Sequence, residues 1–193
     1  TSASPSPVPT PTSASPSPVP TPTSASPSPV PTPQPISGFG RIEAENYSAA
    51  TGPILKQPSG DSADVHNPGL ALLRRENTLT YNAVNFGSAT ASAVDVRVSS
   101  AANPAGGAIT VRRGGADGAI VGSATVPTTA SWQDFRTVRV PLNMALTGSQ
   151  NITLTFQAND GNPFVNLNWL EFVGAGTAPT ATPTPIPSPT EST

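Results

Sequence analysis

Between Arg41 and Val173 apolar and polar residues alternate with a period of two along most of the chain. That is the spacing of half-buried β-strands, whose successive side chains face opposite sides of a sheet. VDVRVSS (94–100) sets Val94, Val96 and Val98 against Asp95, Arg97 and Ser99, and NITLTF (151–156) sets Ile152, Leu154 and Phe156 against Thr153 and Thr155. The same pattern predicts strands in RIEAENY (41–47), TLTYNAVNF (78–86), AITVR (108–112), AIVGSATV (119–126), FRTVRV (135–140) and VNLNWLEF (165–172). They are parted by turn-formers such as NPG, GGADG and NDGNP. No amphipathic helix of ten residues competes, and parallel sheets would need crossover helices. The expectation is an all-β fold of about eight strands, an antiparallel two-sheet β-sandwich of the jelly-roll kind.

Composition changes the picture at both ends. Of the 25 prolines, thirteen fall in residues 1–35 and five in 179–193, whereas 41–173 hold only seven together with 19 of the 20 charges. The opening is TSASPSPVPTP written three times, and each copy offers only Ala and Val as apolar surface, too little to bury a core by stacking. Residues 1–35 and 177–193 are therefore expected to be Pro/Thr/Ser linkers of polyproline II character. Thirty-five such residues would span on the order of 110 Å. The folded part is expected at 36–176. Spacers of this composition suit a secreted, extracellular modular protein with a neighbouring module on at least one side. No apolar run approaches 18 residues, so no membrane anchor is expected. With no cysteine, disulfide bracing is excluded, although a domain of this length can bury a single core without it.

The acidic doublet Glu43 and Glu45 raises a chemical question. Read as strand, RIEAENY puts both carboxylates on one face, and a divalent cation would convert their repulsion into coordination. The alternative is that both face water, paired with Arg41 or Lys56. A glycosidase would need carboxylates opposed across a cleft at roughly 5 to 9.5 Å, which two acids pointing the same way do not supply. There is no G-x-S-x-G turn, and His66 is the one histidine, so nucleophilic and zinc chemistry are also unsupported. Nine basic residues spread thinly at a sequence pI near 5.2 argue against a nucleic-acid partner.

Three blocks, RIEAENY, GGAITVRRGGADGAIVGSATVPTTASWQDF and GNPFVNLNWLEF, resemble the family 6 carbohydrate-binding modules in order and spacing. The resemblance covers almost all of 41–173. It implies a structural calcium held by Glu43, Glu45 and Asn168, the last neutral where an Asp is common, with main-chain oxygens expected from the 60–67 loop. It further implies a sugar cleft of loops in which an aromatic pair flanks a pyranose ring and an asparagine bonds its hydroxyls. Trp132 matches one aromatic, and Asn162, with Asn159 and Asp160 near it, falls about where the asparagine sits. The second aromatic position carries Leu72. Arg74 and Arg75 beside it would suit an anionic or heavily substituted polysaccharide. A second reading moves binding to the concave sheet face, with Asp95, Arg97, Thr110 and Arg112 exposed there, and a third has this copy without binding. Trp169 and Phe172 are expected in the core, and Tyr47 and Tyr81 as buried rings with wet hydroxyls. The function implied is a monomeric, non-catalytic module that holds a polysaccharide for a tethered enzyme, with Kd on the order of tens of micromolar to millimolar. A sandwich serving only as a rigid spacer is the alternative.

Overall fold

The computed structural model describes residues 35–64, 68–101, 107–158 and 160–175. The expected linkers, apart from Pro35, lie outside these residues, as do His66 and Asn159.

The described residues form twelve strands: β1 (Ile36–Ser37), β2 (Ile42–Glu43), β3 (Ala49–Thr51), β4 (Leu55–Gln57), β5 (Gly69–Leu73), β6 (Thr78–Asn85), β7 (Ala91–Ser99), β8 (Gly107–Arg113), β9 (Ala119–Thr125), β10 (Arg136–Leu146), β11 (Ser149–Ala158) and β12 (Val165–Gly174). A single 3-10 turn, Ala44–Asn46, follows β2. The fold is all-β. The strands join in one curled ladder, β1-β6-β11-β8-β9-β10-β7-β12-β5-β4, with β2 beside β12 and β3 beside β6. Every pairing is antiparallel except β1 with β6, which is parallel, contrary to a purely antiparallel expectation. Period-two alternation places the core as the sequence requires. Val94, Val96 and Val98 of β7 pack with Ile152, Leu154 and Phe156 of β11 and with Leu167, Leu170 and Phe172 of β12 in one buried cluster.

Four of the strands fall outside the predicted set, and their sequences explain why. β1, β3 and β4 are two or three residues long, too short to show a period. β5, GLALL, is an unbroken apolar run that periodicity cannot classify. β10 continues six residues beyond the predicted end at Val140, straight through Pro141. Proline has no N–H for a ladder, and Pro141 stands where the register of β10 with β7 breaks, to resume at Leu146 opposite Ala91, while Leu142 comes opposite Gly122 of β9. Gly122 permits that approach, because a Cβ there would lie 2.7 Å from the Pro141 carbonyl oxygen.

The two ends of the described chain meet. The Phe172 N–H donates to the Gly38 carbonyl at 3.1 Å, and Phe39, Phe86 and Phe172 stack edge to face across the same corner. Asn166, near the start of β12, lies roughly 26 Å along the strand from Gly174, at about 3.3 Å per residue. Chain entry and exit thus share one end of the fold, and the first residues of β12 mark the other.

Candidate functional site

β2 stops at Glu43, and Ala44, Glu45 and Asn46 turn into the 3-10 geometry. The expectation that Glu43 and Glu45 share one strand face is therefore wrong: a strand through Asn46 would leave the Tyr81 hydroxyl without its acceptor. Tyr81 is fully buried and donates to the Ala44 carbonyl at 2.8 Å, which pulls the chain out of β2. Its hydroxyl is dry rather than wet, and burial pushes its pKa well above the usual phenol value. Tyr81→Phe is expected to cost about 1–2 kcal/mol, the penalty of leaving that carbonyl buried without a donor, and chemical denaturation measures it.

Around this turn the charges are paired. Glu43 meets Arg41, Oε1 to Nε at 3.0 Å, and the Arg41 guanidinium also pairs with Asp64 and lies 5.0 Å from the centre of the Trp169 ring. Trp169 is accordingly half-buried under an arginine, not in the core as expected from sequence. Lys56 donates to the main-chain carbonyl of Glu45 at 3.2 Å, not to its carboxylate. Asn168 is fully buried at a bulge of β12: Leu167 faces Val98 and Trp169 faces Arg97, so Asn168 is the extra residue between them. Its Nδ2 donates to Asp64 at 2.8 Å and to Asp61 at 3.2 Å. Asp61 in turn accepts both arms of the Arg97 guanidinium, at 2.7 and 2.8 Å. That fork holds the Asp61 carboxyl below the usual carboxylate range and raises Arg97.

Two oxygens here are buried with no hydrogen-bond partner among the described residues, Glu45 Oε2 and Asn168 Oδ1. Both are acceptors only. Acceptor oxygens without a donor are the kind of ligand that a hard cation such as calcium takes up. Among the described residues no three acidic or histidine side chains converge on such a point. A cation would therefore draw on the Asn168 amide oxygen and main-chain carbonyls as well as glutamates.

At the start of β12 a second constellation forms. Trp132 sits half-buried on the loop between β9 and β10, and its carbonyl accepts from Ser99 Oγ at 2.6 Å and from Asn166 Nδ2 at 3.0 Å. Asn166 Oδ1 accepts the Leu72 N–H at 2.9 Å. Leu72 is exposed and takes φ of +56°, in the left-handed region where a leucine is strained. Asn166 also lines a shallow recess together with Gln57, Ser59 and Phe135. One buried amide thus joins the loop that carries the aromatic to the strand that carries the leucine.

Residues 43–174 match the model of carbohydrate binding module family 6. The chain belongs to that family. It is 33% identical over 137 residues to an endo-1,4-beta-xylanase A of Thermoclostridium stercorarium, covering 69% of this chain and 19% of that one. Among solved structures it resembles a family 6 carbohydrate-binding module of Clostridium cellulolyticum in complex with xylose, at 30% identity and a TM-score of 0.62 over 71% of this chain and 98% of that one. It also resembles a family 43 arabinoxylan arabinofuranohydrolase of Bacillus subtilis in complex with cellotetraose, at 26% identity and a TM-score of 0.66 over 75% of this chain and 29% of that one. The chain spans about a fifth of the length of the curated relatives it matches first.

Within this family 6 module the remaining expected site residues lie apart from the Asn166 constellation or at its edge. Asn162 is exposed on the loop before β12 and gives both its N–H and its Nδ2 to Asp160, at 3.0 and 2.9 Å. That bond lowers the Asp160 pKa, with a smaller part from the charge of Arg75. Arg74 Nε lies 3.6 Å from Glu76, and Arg75 is exposed. The concave-face candidates do not form one open surface. Arg97 is committed to Asp61, Asp95 to Arg139 through two bonds of 2.8 Å, and Thr110 is buried. Asn166 and Ser99 are absent from the sequence-based site expectations, and Asp61 and Asp64 enter them only as part of the 60–67 loop, for main-chain oxygens rather than for their carboxylates. The signal for Asn166 is the polar residue two before Asn168 in an otherwise apolar VNLNWL, and for the aspartates the pair in GDSAD ahead of β5.

Proposed function

We propose that this module grips a β-1,4-linked polysaccharide of the xylan or glucan kind at the Trp132–Leu72 end, and holds it for an enzyme joined through the proline-rich linkers. The family assigns non-catalytic carbohydrate binding. The observation that carries the location is the Asn166 amide, which ties the main chain of the half-buried Trp132 to that of the exposed Leu72 beside a recess that Asn166 itself lines. Sugar faces carry C–H groups, so an indole on one side and a leucine on the other supply apolar contact while the hydroxyls stay wet. Sugar class is inferred from a xylanase and from relatives whose complexes hold xylose and cellotetraose.

The curled ladder is best read as a two-sheet jelly roll, with β10 pairing both with β7 and, at Leu142, with β9. Calcium would sit against Glu43, Glu45 and Asn168, supplying positive charge to buried oxygens that have no donor of their own. Glu45 Oε2 and Asn168 Oδ1 support this reading. The module is proposed to act as a secreted monomer without catalytic residues of its own. Because chain entry and exit lie at the end of β12 away from Trp132, a tethered enzyme would not obstruct the recess. Linkage then turns weak binding into useful residence by raising local substrate concentration.

Affinity electrophoresis of the full chain in arabinoxylan, hydroxyethylcellulose and laminarin gels tests the reading. Retardation is expected in at least one gel. Trp132→Ala is expected to weaken binding about tenfold to thirtyfold, or roughly 1.4 to 2 kcal/mol, with an unchanged melting transition. Retardation that survives Trp132→Ala undiminished would move the site elsewhere, and none in any gel would favour the rigid spacer.

A further inference from the structure

Asn166 is only 3% exposed, and among the described residues its amide bonds two main-chain groups, the Leu72 N–H and the Trp132 carbonyl, and no side chain. Val165 pairs with Leu73 and Leu167 with Leu70, so β5 carries Ala71 and Leu72 against the single residue Asn166. At such a bulge one N–H loses its ladder acceptor. The Asn166 Oδ1 takes that place for Leu72, the one residue of β5 with positive φ. The other end of the amide reaches the Trp132 carbonyl, joined there by Ser99, while Thr129 bonds both Ser100 N–H and the Ser131 carbonyl in the same loop.

We propose that Asn166 is a positioning residue of the sugar-binding end: one buried amide fixes the main chain under Trp132 and under Leu72, and so sets the gap between the two apolar walls. This rests on the binding site assigned above. The amide is engaged by protein groups, so Asn166 acts on the ligand through Trp132 and Leu72. A left-handed leucine carries strain that an acceptor must hold in place, and a loop tryptophan carries rotational freedom that two donors on its carbonyl remove. Ligand then meets walls already spaced, without first ordering them.

The test uses the full chain with Asn166→Asp and Asn166→Ser. In Asn166→Asp a carboxyl oxygen still accepts from Leu72, but the Trp132 carbonyl faces an oxygen where the amide gave a donor. Without any ligand, acrylamide quenching of Trp132 fluorescence, isolated by subtracting Trp132→Phe, is expected to rise in both variants at pH 7.5. Xylotetraose, cellotetraose and arabinoxylan are the binding probes. Asn166→Asp is expected to lose about tenfold in affinity at pH 7.5 and to cost little more when combined with Trp132→Ala. Quenching equal to wild type in both variants would overturn the proposal. So would an equal loss of affinity with and without Trp132→Ala, which would make Asn166 a direct sugar contact. Wild type that binds none of the three probes would instead defeat the assigned function, and quenching alone would still decide the role of Asn166.

Discussion

Asp61→Ala is expected to destabilise the fold by about 3 kcal/mol, read as a lower denaturant midpoint at unchanged slope. The side chain is 2% exposed and its partner Arg97 17%, so removal strands a guanidinium that water reaches poorly. It also takes one of two acceptors from the buried Asn168 amide. The magnitude sits at the lower end of the range for breaking a buried pair, because the Arg97 side chain retains some contact with solvent and with the Thr137 hydroxyl at 3.4 Å. Acid should reproduce the loss in the wild type. The Asp61 pKa is depressed in the folded state from an ordinary 3.8, so its stabilisation is complete above that value and disappears as pH falls through the lower, folded one. The gap between wild type and Asp61→Asn should accordingly be widest near neutrality and narrow below about pH 4. A constant gap from about pH 7 to pH 3 would show that the ion pair does not carry the difference.

The consequence reaches the functional end through the loop that Asp61 anchors. Ser59, two residues before Asp61, lines the recess with Asn166 and Gln57, and the Asp61 carboxylate holds the Ala63 N–H at 3.1 Å as well as Arg97. Loosening that loop removes one side of the recess floor without touching Trp132.

How much of this is legible in sequence depends on which residues repeat a period and which do not. Val94–Val98 and Ile152–Phe156 alternate over five residues each, so their strands and their inward faces can be read directly, and they do build the core. β5 cannot be read, because an apolar run has no period, and a left-handed Leu72 leaves no trace in residue type where Gly or Asn would have. The acidic doublet stands out in the sequence but suggests the wrong geometry: RIEAENY alternates like a strand, and only the distant Tyr81, 37 residues on, shows why it turns at Ala44. The aspartates that bond Asn168 are more than a hundred residues from it in sequence, at a bulge whose extra residue shifts the face on which Asn168 lies. Pairings of that kind are set by tertiary register, which a single sequence does not print.

Asn168→Asp is expected to lose stability in chelator and to recover most of it in calcium, and this is the sharpest test of the proposed cation. Asn168 now gives two hydrogens to Asp61 and Asp64 and keeps an oxygen without a donor. A carboxylate in its place loses both hydrogens and sets a third negative charge against two, with Arg41 and Arg97 already engaged. In chelator the variant should therefore melt well below wild type, at a cost of about 3 kcal/mol. Calcium is expected to offset that cost, since the same carboxylate would add a charged oxygen to the donor set and tighten binding. At a hundredfold excess over Kd a ligand that binds only the folded state contributes about 2.7 kcal/mol, enough to offset most of the loss. Calorimetric melts in EGTA and in millimolar calcium should thus show a larger calcium shift for Asn168→Asp than for wild type. Magnesium should do less, because it is reluctant to shed water for a flexible set of protein oxygens. If the variant melts equally low with and without calcium, the orphaned oxygens of Glu45 and Asn168 do not bind a cation. The Arg41 and Arg97 pairs would then be what neutralises this acidic corner.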